Sequence, residues 1–218
     1  MSAVPARVRV KICGVTNRAD AEAAIALGAD ALGFNLYPGS KRCIELAREA
    51  EWIAALPPFV TRVAVLVNVS FDEARRVAEH LAIDCVQFHG DEDEAYCAEF
   101  ARLGRPFIKA LRLGDASAIG RAPGFSTSRV LLDAQAGTAY GGTGTLIDLA
   151  LAAECARQHP QLTPILAGGL RPANVADAVR AVQPYAVDVA SGVEREGNPR
   201  RKDAERMRAF VAAVKGWE

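Results

Sequence analysis

Apolar side chains recur along the chain in short runs of strand length: "VRVKIC", "ALGFNLY", "RVAVLV", "CVQFHG", "FIKALRL", "RVLLDA", "PILAGG" and "AVDVAS". Between most of these runs the apolar positions change period. In "DEARRVAEHLAI", Ala74, Val77, Ala78 and Leu81 form an i, i+3, i+4, i+7 stripe, and Val175, Ala178, Val179 and Val182 do the same in "NVADAVRAV". Met207, Phe210, Val211 and Val214 repeat it in "ERMRAFVAAV". Period 2 predicts strands and period 3.6 predicts amphipathic helices. Ser70 with Glu73 has the form of a capping box, and Pro172 suits a helix start. The weakest predicted helix is the short, glycine-containing "GDASAIGRAPG".

Strands that alternate with helices form parallel βα units. Two architectures fit: an open doubly wound sheet and a closed (β/α)8 barrel of the TIM type. An open sheet often carries G-x-G-x-x-G after its first strand, but here that position reads "CGVTNRAD". The expectation is an α/β fold, one (β/α)8 barrel domain over residues 1–218. The chain is shorter than the roughly 250 residues usual for that fold.

In a barrel, one strand parity meets the helices and the other fills the interior. Assigning the bulky apolar set (Ile12, Leu32, Phe34, Val86, Phe88, Val130, Leu132, Val187, Val189) to the helices leaves Lys11, Cys13, Asn35, Gln87, His89, Asp133 and Asp188 inside. A structural barrel interior is mostly Val, Ile and Leu. Buried polar groups need partners, so this set points to internal pairs or a ligand. Lys11 and Asp188, on strands adjacent in a closed barrel, could be a buried ion pair. His89 could be a satisfied core residue, and Asp133 a loop cap. Several of the set sit at C-terminal strand ends, the face where such barrels carry active sites.

Two glycine turns follow the last strands: "AGGL", with Gly168 and Gly169, and "SGVE", with Ser191 and Gly192. Glycine lets backbone N–H groups approach an anion, and loops seven and eight are the recurrent phosphate site of this fold. "GTAYGGTGT", residues 137–145, cannot hold a helix and is expected to be a lid, an anion nest or a connector.

Composition narrows the partners. The chain has 218 residues, half of them hydrophobic, with 26 basic and 26 acidic side chains. No basic excess suggests nucleic acid or a membrane surface. No run approaches the roughly 18 apolar residues of a membrane span, and "MSAVPARVRV" lacks a secretion-type apolar stretch. Five scattered cysteines (Cys13, Cys43, Cys85, Cys97 and Cys155) without a CxxC pair argue against a disulfide framework or a zinc site. The expected compartment is the cytoplasm, and the expected assembly a monomer or homodimer.

"KICGVT", "GADALGFNLYPGSKR", "VQFHGDE", "LLDA…GGTG", "LAGGLRPANV" and "VDVASGVE…G", in this order, resemble the phosphoribosylanthranilate isomerase family of tryptophan biosynthesis nearly end to end. The resemblance implies an Amadori rearrangement of N-(5-phosphoribosyl)anthranilate, a small-molecule substrate, without metal or organic cofactor. It implies Cys13 as general base, Asp133 as general acid and Arg42 as receptor of the anthranilate carboxylate. Gln87, His89 and Asp188 would be on the substrate, and Gly168, Gly169, Ser191 and Gly192 on its phosphate. Two positions depart from the family pattern. "TLIDLA" stands where an aromatic "FDW"-like helix start is usual, and Phe88 where leucine is commoner. Two alternatives remain open. One is a dual-substrate isomerase that also serves histidine biosynthesis, which would carry aspartate in place of Cys13. The other is a non-catalytic barrel that binds a phosphorylated ligand.

Overall fold

The computed structural model describes residues 7–134 and 146–216. The 137–145 segment, expected as a lid or connector, lies outside the described residues. Eight parallel strands close into a barrel in chain order, with β1 (Arg9–Cys13) hydrogen-bonded to both β2 (Ala31–Asn35) and β8 (Ala186–Val189). Between them run β3 (Thr61–Leu66), β4 (Cys85–Phe88), β5 (Phe107–Leu113), β6 (Arg129–Ala134) and β7 (Thr163–Leu166). All eight expected strands form.

Each strand is followed by a helix: α1 (Arg18–Ala26), α2 (Leu46–Ala54), α3 (Phe71–Ala78), α4 (Glu94–Ala101), α5 (Ala116–Arg121), α6 (Leu149–Gln158), α7 (Val175–Val182) and α8 (Ala204–Lys215). Short polar side chains start most of them: Asn17, Ser70, Asp93, Asp115, Asp148 and Asp203 each accept a backbone N–H of the first turn. The weak helix expected after β5 is six residues, continued by a 3-10 turn over Ala122–Phe125. Among the described residues, no helix is long and apolar enough to cross a membrane.

Three local expectations change. Helix α3 ends at Ala78, so Leu81 lies beyond the last turn, where helical spacing no longer aims it inward; it is 90% exposed. Pro172 sits in the turn before α7 rather than at its start, and Asn174 forms that entry by accepting the N–H of Arg171. A two-stranded hairpin, β9 (Glu194–Arg195) with β10 (Asn198–Lys202), follows β8 and was not anticipated. Gly197, at φ 70°, turns it.

Strand alternation divides the core in two. The outward set, including Ile12, Phe34, Leu66, Phe88, Leu132 and Val187, packs under the helices with Val175, Val179, Phe210 and Val214. The inward set at the lower end is a separate apolar cluster of Val63, Cys85, Ile108, Ala110, Leu131, Ile165, Ala167 and Ala186. The Phe88 departure is absorbed in the outer core, where its ring meets Phe100 edge-on at 4.8 Å and Tyr96 at 5.3 Å. In "TLIDLA", Ile147 is buried, Leu146 is largely exposed and Asp148 caps α6.

Candidate active site

The C-terminal ends of the strands surround a cavity of about 820 Å³. Cys13, Asn35, Arg42, His89, Asp133, Gly168, Gly169, Asp188 and Ser191 all line it. Five of the seven side chains that alternation places inside therefore meet in one space, and Lys11 and Gln87 lie behind it.

Lys11 and Asp188 form the expected ion pair across the β1–β8 seam, Nζ to Oδ1 at 2.8 Å, with both side chains buried. The charge of the same ammonium favours the thiolate of Cys13. Gly33 on β2 makes room for this: a Cβ there would sit 2.7 Å from Cys13 Sγ and 3.0 Å from Lys11 Nζ. Burial pushes the Cys13 thiol above its ordinary value, and the positive charges of Lys11 and Lys202 oppose that shift. Asp188 helps hold Lys11 in its charged form.

Across the cavity, Asp133 is the penultimate residue of β6. Its Oδ1 accepts the N–H of Ala134 at 2.9 Å, and Oδ2 lies 3.1 Å from His89 Nε2. Gln87 Nε2 lies 2.7 Å from His89 Nδ1. Gln87 is fully buried and does not line the cavity, so it acts behind His89, fixing the imidazole that faces Asp133. Asn35 turns its Oδ1 back to the N–H of Tyr37.

Gly168 (φ 84°) and Gly169 (φ 63°) adopt backbone conformations that side chains resist. A Cβ on Gly168 would approach Asp133 Oδ1 to 3.0 Å, so this turn abuts the acid candidate. Ser191 begins a 3-10 turn after β8. Gly192 does not line the cavity; a Cβ there would lie 2.0 Å from the carbonyl oxygen of Leu170, so its role is to let the two turns pack together.

Arg42 reaches the cavity from the β2–α2 loop, its stem crossing Gly14 so closely that a Cβ there would lie 2.3 Å from Arg42 Cδ. Its Nε and Nη2 donate to Glu194 Oε1 and Oε2 at 2.5 and 3.0 Å. Glu194 Oε1 also accepts from Lys202 Nζ at 3.0 Å. Sequence reasoning missed Glu194 and Lys202, because strand alternation stops at β8 and both lie on the hairpin beyond it. The "EGN" turn at Gly197 was the signal available. It also missed Lys109 and Glu92, a buried ion pair at 2.8 Å beside β4 and β5 that lies outside this cavity.

A family model, "N-(5'phosphoribosyl)anthranilate (PRA) isomerase", matches residues 10–213. The chain is 45% identical over 210 residues to the N-(5'-phosphoribosyl)anthranilate isomerase of Neisseria meningitidis serogroup B, covering 95% of this chain and 97% of that one. Its fold is similar to a crystal structure of phosphoribosyl anthranilate isomerase in complex with reduced 1-(o-carboxyphenylamino)-1-deoxyribulose 5-phosphate. There the TM-score is 0.81 and the identity 35%, over 96% of this chain and 99% of that chain. It is similar also to a structure of monomers generated from the dimeric isomerase of Thermotoga maritima, with TM-score 0.81 and 34% identity over 96% and 99% of the two chains. The polar crown that alternation predicted thus sits in a chain that belongs to the N-(5'-phosphoribosyl)anthranilate isomerase family.

Proposed function

We propose that the protein isomerises N-(5'-phosphoribosyl)anthranilate to 1-(2-carboxyphenylamino)-1-deoxyribulose 5-phosphate in tryptophan biosynthesis, with Cys13 as general base and Asp133 as general acid. The observation that carries these roles is that a thiol and a carboxyl group line one cavity from opposite sides of the barrel.

Opening the furanose ring requires a proton on its ring oxygen, which Asp133 supplies. The nitrogen lone pair completes the opening and leaves an iminium ion. The adjacent ribose C2 is then acidic, and the Cys13 thiolate removes its proton to give an enolamine, which tautomerises to the ketone. Burial disfavours the thiolate in the free site. Lys11 opposes that effect permanently, and the iminium cation adds to it only once the ring is open. The thiolate form is thus favoured most when its role as proton acceptor begins.

Arg42 supports the other end. The anthranilate carboxylate is ortho to the nitrogen that joins C1, so its receptor has to lie near the base. The passage of the Arg42 stem over Gly14, next to Cys13, fits that demand. The phosphate lies on the turns of Gly168, Gly169 and Ser191, with Gly192 holding them together. Fixing both charged ends sets C2 and the ring oxygen between base and acid.

The enzyme acts in the cytoplasm as one barrel domain, as a monomer or homodimer, and needs no cofactor. The dual-substrate reading has less support because Cys13 occupies the position where that enzyme is expected to carry aspartate. The test is the loss of phosphoribosylanthranilate fluorescence with purified protein. Turnover that Cys13→Ser and Asp133→Asn each abolish supports the assignment; substrate binding without turnover leaves the phosphate-binding alternative instead.

A further inference from the structure

A carboxylate receptor with a glutamate locked onto it poses an electrostatic problem. Arg42 and Glu194 alone form a neutral pair, and a neutral pair attracts an anion poorly. Glu194 is 7% exposed, so water does little to screen it.

Lys202 resolves this. It lies behind Glu194, outside the cavity lining, with its side chain 1% exposed. Its Nζ donates to Glu194 Oε1 and to the carbonyl oxygen of Ala190, both at 3.0 Å. The order from solvent inward is therefore cation, anion, cation. The three side chains carry a net charge of about +1 rather than zero when both bases are protonated.

The geometry of the fork matters as well. A guanidinium has five N–H donors. Glu194 occupies the edge made by Nε and Nη2. The edge made by Nη1 and Nη2 keeps donors for a second, bidentate carboxylate. The hairpin that carries both partners is itself anchored: the backbone N–H of Lys202 donates to Asp20 at 2.7 Å, and Thr16 donates to the carbonyl of Arg200 at 2.5 Å.

We infer that Glu194 and Lys202 are positioning residues for the carboxylate end of the substrate: Glu194 aims the Arg42 fork, and Lys202 cancels the glutamate's charge so that Arg42 still attracts an anion. This rests on the reading of Arg42 as carboxylate receptor.

The experiment measures KM and kcat for phosphoribosylanthranilate, together with inhibition by ribulose 5-phosphate, which has no carboxylate. Lys202→Met is expected to raise KM about ten-fold, because one nearby charge is lost, and to lower kcat by less than that, because the same charge also favours the Cys13 thiolate. The double variant Lys202→Met/Glu194→Gln removes both charges, leaves an amide oxygen for the Arg42 fork, and is expected to bring KM back to within about three-fold of the parent. Inhibition by ribulose 5-phosphate should be the same in all of them. A purely structural lysine would leave the double variant as impaired as the single one, or worse, and that result overturns the inference. So does an unchanged KM in Lys202→Met, or a parallel loss of ribulose 5-phosphate inhibition, which would place the effect at the Ala190–Ser191 turn. If Lys202→Met does not fold, the double variant alone decides by its KM. Arg42→Ala separates the two levels: an unchanged KM there removes Arg42 from the carboxylate site, whereas a raised KM with no effect of Lys202→Met sinks only the present inference.

Discussion

Cys85 and Cys13 both point into the barrel, at opposite ends of its interior. Cys85 begins β4 and belongs to the lower cluster with Val63, Leu131 and Ile165. Burial pushes its thiol up to about 11, and the charges of Arg129 and Lys11 oppose this without cancelling it. Cys13 ends β1 on the cavity wall, where the charge of Lys11 favours its thiolate. The same strands thus supply an apolar plug below and a polar crown above. The plug stabilises by excluding water. The crown keeps charged groups inside only because they pair: Lys11 with Asp188, His89 with Asp133 and Gln87, Arg42 with Glu194 and Lys202. One residue type has an inert use in the first layer and a chemical use in the second.

The contrast can be broken at either layer. The largest effect is expected from Asp133→Asn in the crown: kcat should fall by about 10²- to 10⁴-fold, with the melting temperature close to that of the parent, because general acid catalysis is worth that much. Turnover within a few-fold of the parent would remove Asp133 from the acid role. Leu131→Ala in the plug should do the reverse. Leu131 is fully buried, so its truncation should cost about 2–5 kcal/mol in denaturant unfolding while kcat at low temperature stays unchanged. A kcat loss without a stability loss would contradict the division of labour.

The pH dependence sharpens the comparison. Burial raises the Cys13 thiol, so the thiolate is the minority form at neutral pH. A raised value for the thiol means that the reactive thiolate accumulates only as pH rises. Accordingly, the rate at which iodoacetamide alkylates Cys13, followed by peptide mass, is expected to keep climbing well above about pH 8.5, where an ordinary thiol is half ionised. Alkylation that levels off at or below about pH 8.5 would contradict a raised Cys13 thiol. The smallest effect is expected from Cys155→Ala on the buried face of α6, where the residue is 1% exposed and outside the cavity lining. Activity should be unchanged, and stability lower by about 1 kcal/mol.

Much of this was legible in the chain. Alternation in "VKIC", "CVQFHG" and "VDVAS" was enough to place Lys11, Cys13, Gln87, His89 and Asp188 inside, because a strand has only two faces. It could not rank them by depth. Gln87 and His89 share a face, yet only His89 reaches the cavity, since one is two residues nearer the strand end. Nor could a repeating pattern reach the β9–β10 hairpin, whose few residues carry no period and whose Glu194 lies 152 residues from its partner Arg42. Leu81 failed for the converse reason: the apolar period continued in sequence past the point where the helix stopped.

The central claim, that position within the barrel gives Cys13 a chemical role which Cys85 lacks, is tested most directly by assaying Cys13→Ser and Cys85→Ala side by side for turnover of phosphoribosylanthranilate. The account predicts a loss of at least about 100-fold for Cys13→Ser and less than about two-fold for Cys85→Ala, with both variants folded. Comparable turnover in the two variants would contradict it.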